Sequence, residues 1–138
     1  VKSDRLIYID DYAHHPREIE ASLSSIREMW PDKRLTVAFQ PHLYSRTNDF
    51  YPEFAKSLSL ADQVILLDIY PAREQPIPGV TSKLIADRLT VPFVRVTKEE
   101  FPEYVKENVK EGVFMTVGAG DIDRFIPIFT EMFGGTDC

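Results

Sequence analysis

The sequence predicts an α/β fold: a three-layer α/β/α sandwich around a mostly parallel sheet. Two observations carry this. Short apolar runs alternate along the whole chain with amphipathic stretches of helical period. The run at 64–67, Val-Ile-Leu-Leu, is continuously apolar, as a strand covered on both faces must be.

Taken in order, the run at 6–9 (Leu-Ile-Tyr-Ile) reads as a strand. A helix follows over 16–29, where Ile19, Leu23, Ile26 and Trp30 recur at three- and four-residue spacing. Pro16 suits a first helical turn and Pro31 a stop. Residues 35–39 form the next strand, and 48–58 a helix carrying Phe50, Phe54 and Leu58, with Thr47 or Asn48 as its cap. After the 64–67 strand come a short helix over 82–89, a strand over 93–96, a helix over 99–109, a strand over 113–117 and a closing helix over 121–133. Such alternation implies right-handed parallel crossovers, hence a Rossmann-like sandwich. The stretch 70–80, with Pro71, Pro76, Pro78 and Gly79, reads as an ordered surface loop. No repeat or low-complexity tract interrupts the pattern, and residues 1–138 are expected to form one domain.

The net charge of −6 argues against a general nucleic-acid binder, but leaves room for a small anion held by local donors. No apolar run reaches the ~20 residues of a membrane span, and the first residues lack the pattern of a signal peptide. The lone cysteine, Cys138, excludes an internal disulfide and fits a reducing, cytoplasmic setting.

In open parallel sheets, ligands bind beyond the carboxyl ends of the strands. Four segments fall there. Asp10-Asp11-Tyr12-Ala13-His14-His15-Pro16 gathers two carboxylates and two histidines, which suit a ribose, a substrate or a metal; capping of the next helix accounts for one Asp only. Beyond His42, no further His or Cys follows with ligand spacing, so a metal site made by this chain is not expected. Phe39 to Thr47 adds His42, Tyr44, Ser45 and Arg46, whose guanidinium fork can grip a carboxylate or phosphate. In the third segment, after 64–67, Arg73 and Glu74 read either as site residues or as a solvated pair. The Gly118-Ala119-Gly120-Asp121 turn lets backbone N–H groups approach an anion.

The strings DDYAHHPREI and FQPHLYSRT, then LLDIYPAREQPIPGV and VGAGDI, stand in the order and spacing of landmarks in the C-terminal domain of Mur ligases. The chain resembles that family over essentially its whole length. DYAHxP is shared by several Mur ligases, whereas its combination with FQPHxYSRT resembles the alanine-adding branch. The resemblance implies an ATP-dependent ligase of cell-wall synthesis, in which ATP phosphorylates the carboxylate of UDP-N-acetylmuramate and the amino group of L-alanine attacks the acyl phosphate. It also implies a longer protein. The GxxxxGK[ST] loop of a central ATPase domain and the N-terminal UDP-binding domain do not occur in this sequence. ATP and Mg2+ would be bound mainly by that central domain, the expected partner of this one.

Residue by residue, the resemblance implies that Arg46 and His14 serve catalysis and that Asp11 holds the adenosine ribose. Tyr12, His14, His42 and Arg46 would bind substrate, with backbone N–H groups of Gly118, Ala119 and Gly120 near the alanine carboxylate. One departure is Leu43, where the family often has arginine; Arg46, and Arg73 with it, would then carry the carboxylate contact. The rival readings are a muropeptide-recycling Mur ligase domain and a metal-dependent phosphoesterase-like hydrolase using Asp10, Asp11, His14 and His15. A non-catalytic nucleotide-binding module is a third.

Overall fold

The computed structural model describes residues 6–71, 73–118 and 121–132. Five strands, β1 (Leu6–Asp11), β2 (Leu35–Phe39), β3 (Gln63–Leu66), β4 (Phe93–Arg95) and β5 (Gly112–Val117), form one sheet in the order β1-β5-β2-β3-β4, and every pairing is parallel. Five α-helices accompany them: α1 (Pro16–Met29), α2 (Tyr44–Leu58), α3 (Lys83–Ala86), α4 (Phe101–Asn108) and α5 (Ile126–Met132), the last preceded by a 3-10 turn, Asp121–Phe125.

Strand parity sorts the apolar residues into two cores. Leu35, Val37 and Phe39 of β2 face one side, with Ile19, Leu23 and Ile26 of α1, Phe54 and Leu58 of α2, and Ile85 of α3. Ala38, Ile65 and Phe114 face the other, with Phe101 and Val105 of α4 and Phe129 of α5. This is the expected three-layer sandwich, and it explains why 64–67 shows no alternation: Val64, Ile65, Leu66 and Leu67 are all fully buried, on alternating faces. The chain moves one way across the sheet through α1, α2 and α3, and returns from β4 through α4 to insert β5 between β1 and β2. Reversing direction while keeping one crossover hand puts α4 on the opposite face.

Several element boundaries depart from the sequence reading: the helix read over 82–89 shortens to Lys83–Ala86 and that over 99–109 to Phe101–Asn108, while the strands read over 64–67, 93–96 and 113–117 shift by a residue at one or both ends. β1 runs two residues further, to Asp11, because β5 offers backbone partners as far as Val117: Asp10 pairs with Thr116 and Asp11 with Val117. α2 begins at Tyr44 rather than at 48, so neither Thr47 nor Asn48 caps it; Thr47 instead donates its hydroxyl back to Leu43 O at 2.9 Å. The closing helix starts as a 3-10 turn and becomes α-helical only at Ile126. Its predicted last residue, Phe133, lies outside the described residues, as does Cys138. No helix among the described residues is long and apolar enough to cross a membrane.

Entry into β5 requires a glycine. Gly112 has φ +87°, and a Cβ there would meet Arg34 O at 2.2 Å. Gly79 has a similar φ, +80°, but nothing lies within 4 Å of the added carbon. Gly112→Ala is therefore expected to cost about 2 kcal/mol or more, and Gly79→Ala roughly 1 kcal/mol from backbone conformation alone. Urea unfolding of the two variants checks this; equal losses would show that the Arg34 contact is relieved cheaply.

Candidate functional site

The connections after β1 and β2 leave towards one face and the connection after β5 towards the other, which opens a crevice over the end of β5. Backbone bonds tie its walls: Gly118 N–H donates to Asp11 O (3.2 Å) and Gln40 N–H to Val117 O (3.1 Å). The segments singled out after β1, β2 and β5 thus converge, and Tyr70 and Glu74 join them from the loop after β3.

On the β1 side, Asp11 builds the turn. Its Oδ1 accepts Ala13 N–H at 2.8 Å and its Oδ2 accepts the Ser22 hydroxyl at 2.6 Å, which binds the turn to α1. It does not cap α1. The carboxylate has further lone pairs and remains half-buried. His14 Nδ1 lies 3.1 Å from Tyr12 O, and a carbonyl only accepts, so Nδ1 carries the proton. The other nitrogen, Nε2, has no partner among the described residues. Glu18, in the first turn of α1, accepts His14 N–H at 3.2 Å and so steadies the same loop. Tyr12 is 67% exposed, edge-on to His14 at 5.6 Å.

On the β2 side, His42 sits 6.2 Å from His14, ring centre to ring centre, and stacks on Tyr70 at 5.7 Å. Arg46, in the first turn of α2, lies with Nη1 3.2 Å from His42 Nδ1. A guanidinium only donates, so His42 Nδ1 is the acceptor and its proton sits on Nε2. Desolvation, with the nearby Arg46 and His14, lowers the His42 pKa below the ordinary imidazole value. Arg46 has only this one bond among the described residues, which leaves most of its fork for a ligand.

The helix start at Tyr44 has its cause in the loop after β3. Glu74 accepts Ser45 N–H at 3.1 Å and also the Ser45 hydroxyl, serving as the N-terminal cap that Leu43 does not provide. These two hydrogen bonds hold the Glu74 carboxyl below its usual range. Leu43 adopts φ +73°, a conformation rare for a bulky side chain, held by its N–H to Tyr70 O at 2.8 Å. Glu74 is thus no solvated partner of Arg73, and Arg73 is exposed.

Of the expected glycine donors, Gly118 has its N–H already engaged by Asp11 O, so it shapes the turn rather than offering a free donor. A Cβ on it would meet Gln40 O at 2.9 Å. Ala119 and Gly120 lie outside the described residues. What sequence reading missed is the clamp on this turn. Buried Gln40 donates to Asp121 Oδ1 at 2.6 Å and accepts Ile122 N–H at 2.9 Å, while Lys98 donates to Asp121 Oδ2 at 2.7 Å. Burial pushes the Asp121 carboxyl up, but the bonds from Lys98 and Gln40 and the charges of Lys98 and Arg124 outweigh it and hold the pKa below the usual value. The only signal for this was polar residues at strand ends; which ones pair depends on the sheet order.

Asp10, Asp11, His14 and His15 do not converge as metal ligands. Asp10 accepts from Thr116 Oγ1 at 2.6 Å on the other face, and His15 packs on Phe50 at 5.2 Å. Among the described residues, no group of three or more His, Cys, Asp or Glu could hold an ion. The hydrolase reading loses its site.

The fold defines an α/β domain whose polar segments gather at the carboxyl edge of a parallel sheet. Residues 1–121 match the family described as Mur ligase, glutamate ligase domain, and the chain belongs to that family. It is similar to the UDP-N-acetylmuramate–L-alanine ligases of Phocaeicola vulgatus (55% identity over 92% of this chain) and Porphyromonas gingivalis (52% over 90%). The chain spans only 28% and 27% of the length of those two relatives. Among solved structures it resembles UDP-N-acetylmuramate-alanine ligase MurC from Thermotoga maritima, with 31% identity, a TM-score of 0.70, and coverage of 95% of this chain and 27% of that one. A murein peptide ligase from Psychrobacter arcticus shares the fold, at 17% identity and a TM-score of 0.74, covering 97% of this chain and 29% of that one.

The Arg46–His42 contact sets a pH expectation. Removing Arg46 removes a charge that lowers the His42 pKa, so Arg46→Ala should raise it. Because the folded-state value lies below the unfolded one, this group's contribution to stability is full above the unfolded pKa and is lost as pH falls from about 6.5 through the folded value. Nitrogen-15 NMR of the ring should show the neutral Nε2–H tautomer at pH 7. An Nδ1–H tautomer, or an unshifted titration in Arg46→Ala, would contradict the geometry.

Proposed function

We propose that this chain is the C-terminal domain of an ATP-dependent ligase that joins L-alanine to UDP-N-acetylmuramate in peptidoglycan synthesis. Three supports combine: membership of the family, relatives bearing that name at about half identity, and an arginine fork held open at the crevice. The observation that carries it is Arg46, held by His42 Nδ1 with most of its donors unused, on a helix whose first turn is capped by Glu74 from the loop after β3.

In this reading, Arg46 grips the alanine carboxylate, bidentately as a guanidinium does best, and lowers the entropy cost of presenting the amine. His14, with its proton on Nδ1, offers the Nε2 lone pair to a proton leaving the ammonium, so that the neutral amine attacks the acyl phosphate carbon. The C–N bond forms, the C–O bond to phosphate breaks, and inorganic phosphate leaves; ATP has become ADP in the preceding step. Tyr12, exposed beside His14, closes over the amino acid, and His42 Nε2–H supplies a further donor. Asp11 uses its remaining lone pairs for the ribose hydroxyls of ATP. In this reading, Mg2+ and the phosphates would be held mainly by a central domain of the same enzyme. ATP and the UDP-linked sugar as substrates place the reaction in the cytoplasm.

The test is phosphate release by the complete ligase carrying this chain, with ATP, Mg2+ and UDP-N-acetylmuramate. Release is expected to require L-alanine, and Arg46→Ala should lower kcat/KM for alanine by roughly 10²-fold, as losing a buried charge-assisted contact does. Release with a tripeptide instead of alanine would reassign the chain to muropeptide recycling. A near-normal value for the variant would remove Arg46 from the site.

A further inference from the structure

We infer that Glu74 is a positioning residue for alanine recognition: from the loop after β3 it fixes the first turn of α2, and through that turn the guanidinium of Arg46. The inference rests on the assignment of Arg46 to the alanine carboxylate.

The first turn of a helix has N–H groups without helical partners and gains stability from a nearby anion. In α2 no local side chain serves: Leu43 stands at the cap, and the residues of the first turn include no acid. Glu74 fills that place from 29 residues away, taking both the backbone N–H and the hydroxyl of Ser45, the residue next to Arg46. Its own segment is anchored independently. Tyr70 N–H donates to Pro41 O at 2.8 Å, Tyr70 O accepts Leu43 N–H at 2.8 Å, and the Tyr70 ring stacks on His42. The loop therefore grips both sides of the strained residue Leu43, His42 before it and Ser45 after it. Without Glu74, nothing described satisfies Ser45 N–H. The turn can then relax towards a later helix start, which moves Arg46 off His42. Displacement of a positioning group by about 1 Å is enough to cost up to 10²-fold in rate.

Four variants of the complete ligase separate the possibilities: Glu74→Ala, Glu74→Gln, Arg46→Ala and the Glu74→Ala/Arg46→Ala double. Glu74→Ala should raise KM for L-alanine on the order of 10-fold with kcat changed far less, and should speed amide exchange over 43–47. Glu74→Gln, whose amide oxygen still accepts Ser45 N–H, should recover part of the loss. The double variant should be no worse than Arg46→Ala, because Glu74 acts through Arg46. An alanine KM within twofold of the parent in Glu74→Ala overturns the inference if Arg46→Ala raises it. So does a double variant whose losses multiply, or unchanged exchange over 43–47. An unaltered KM in Arg46→Ala overturns the underlying assignment, and the inference with it.

Discussion

Everything at the crevice depends on β5 lying between β1 and β2. Its two parallel ladders pair Asp11 with Val117 on one side and Phe39 with Val117 on the other, so three strands end at one level. From that level the chain departs to opposite faces, and the backbone bonds Gly118 to Asp11 and Gln40 to Val117 stitch the departures together. At the opposite, amino end of β5, Gly112 lets the strand pass close to Arg34, whose O occupies the place of a side chain. A slip of one residue in β5 would turn every side chain to the wrong core and carry the crevice apart.

Above this frame, the polar work is done by side chains that arrive from distant segments. Glu74 caps α2, Gln40 caps the turn into the last helix, and Asp11 binds its own loop to α1 through Ser22. Each satisfies a backbone or hydroxyl donor; of these Ile122 N–H, the partner of Gln40, is buried, and a buried donor left unpaired costs about 1–3 kcal/mol. No buried side-chain polar atom is left without a partner among the described residues. Rigid capping also suits recognition, because an arginine on an anchored first turn spends less entropy when it meets a carboxylate.

Charge arrangement follows the same economy. Two histidines and an arginine within one crevice would repel if all were protonated. Desolvation and the Arg46 charge lower the His42 pKa, and a neutral ring lets its Nδ1 accept from Arg46 rather than oppose it. Leu43 removes a further potential cation from this cluster, at a position where φ is +73°.

The sequence by itself determined the layers and the order of strands and helices along the chain. Helical and strand periods are local properties, so Ile19, Leu23 and Ile26, or the unbroken 64–67 run, report burial directly. It also showed that His14, His42 and Arg46 fall at strand ends, and the motif strings tied them to a family. Only the tertiary structure decided the strand order, the start of α2 and the links from Glu74 to Ser45 and from Gln40 to Asp121. The reason is distance along the chain. A cap supplied from 29 residues away leaves no trace in the local pattern, so Thr47 and Asn48 looked like the helix start. Which polar ends meet is set by where β5 inserts, and that follows from packing two apolar faces at once rather than from any stretch of residues read alone.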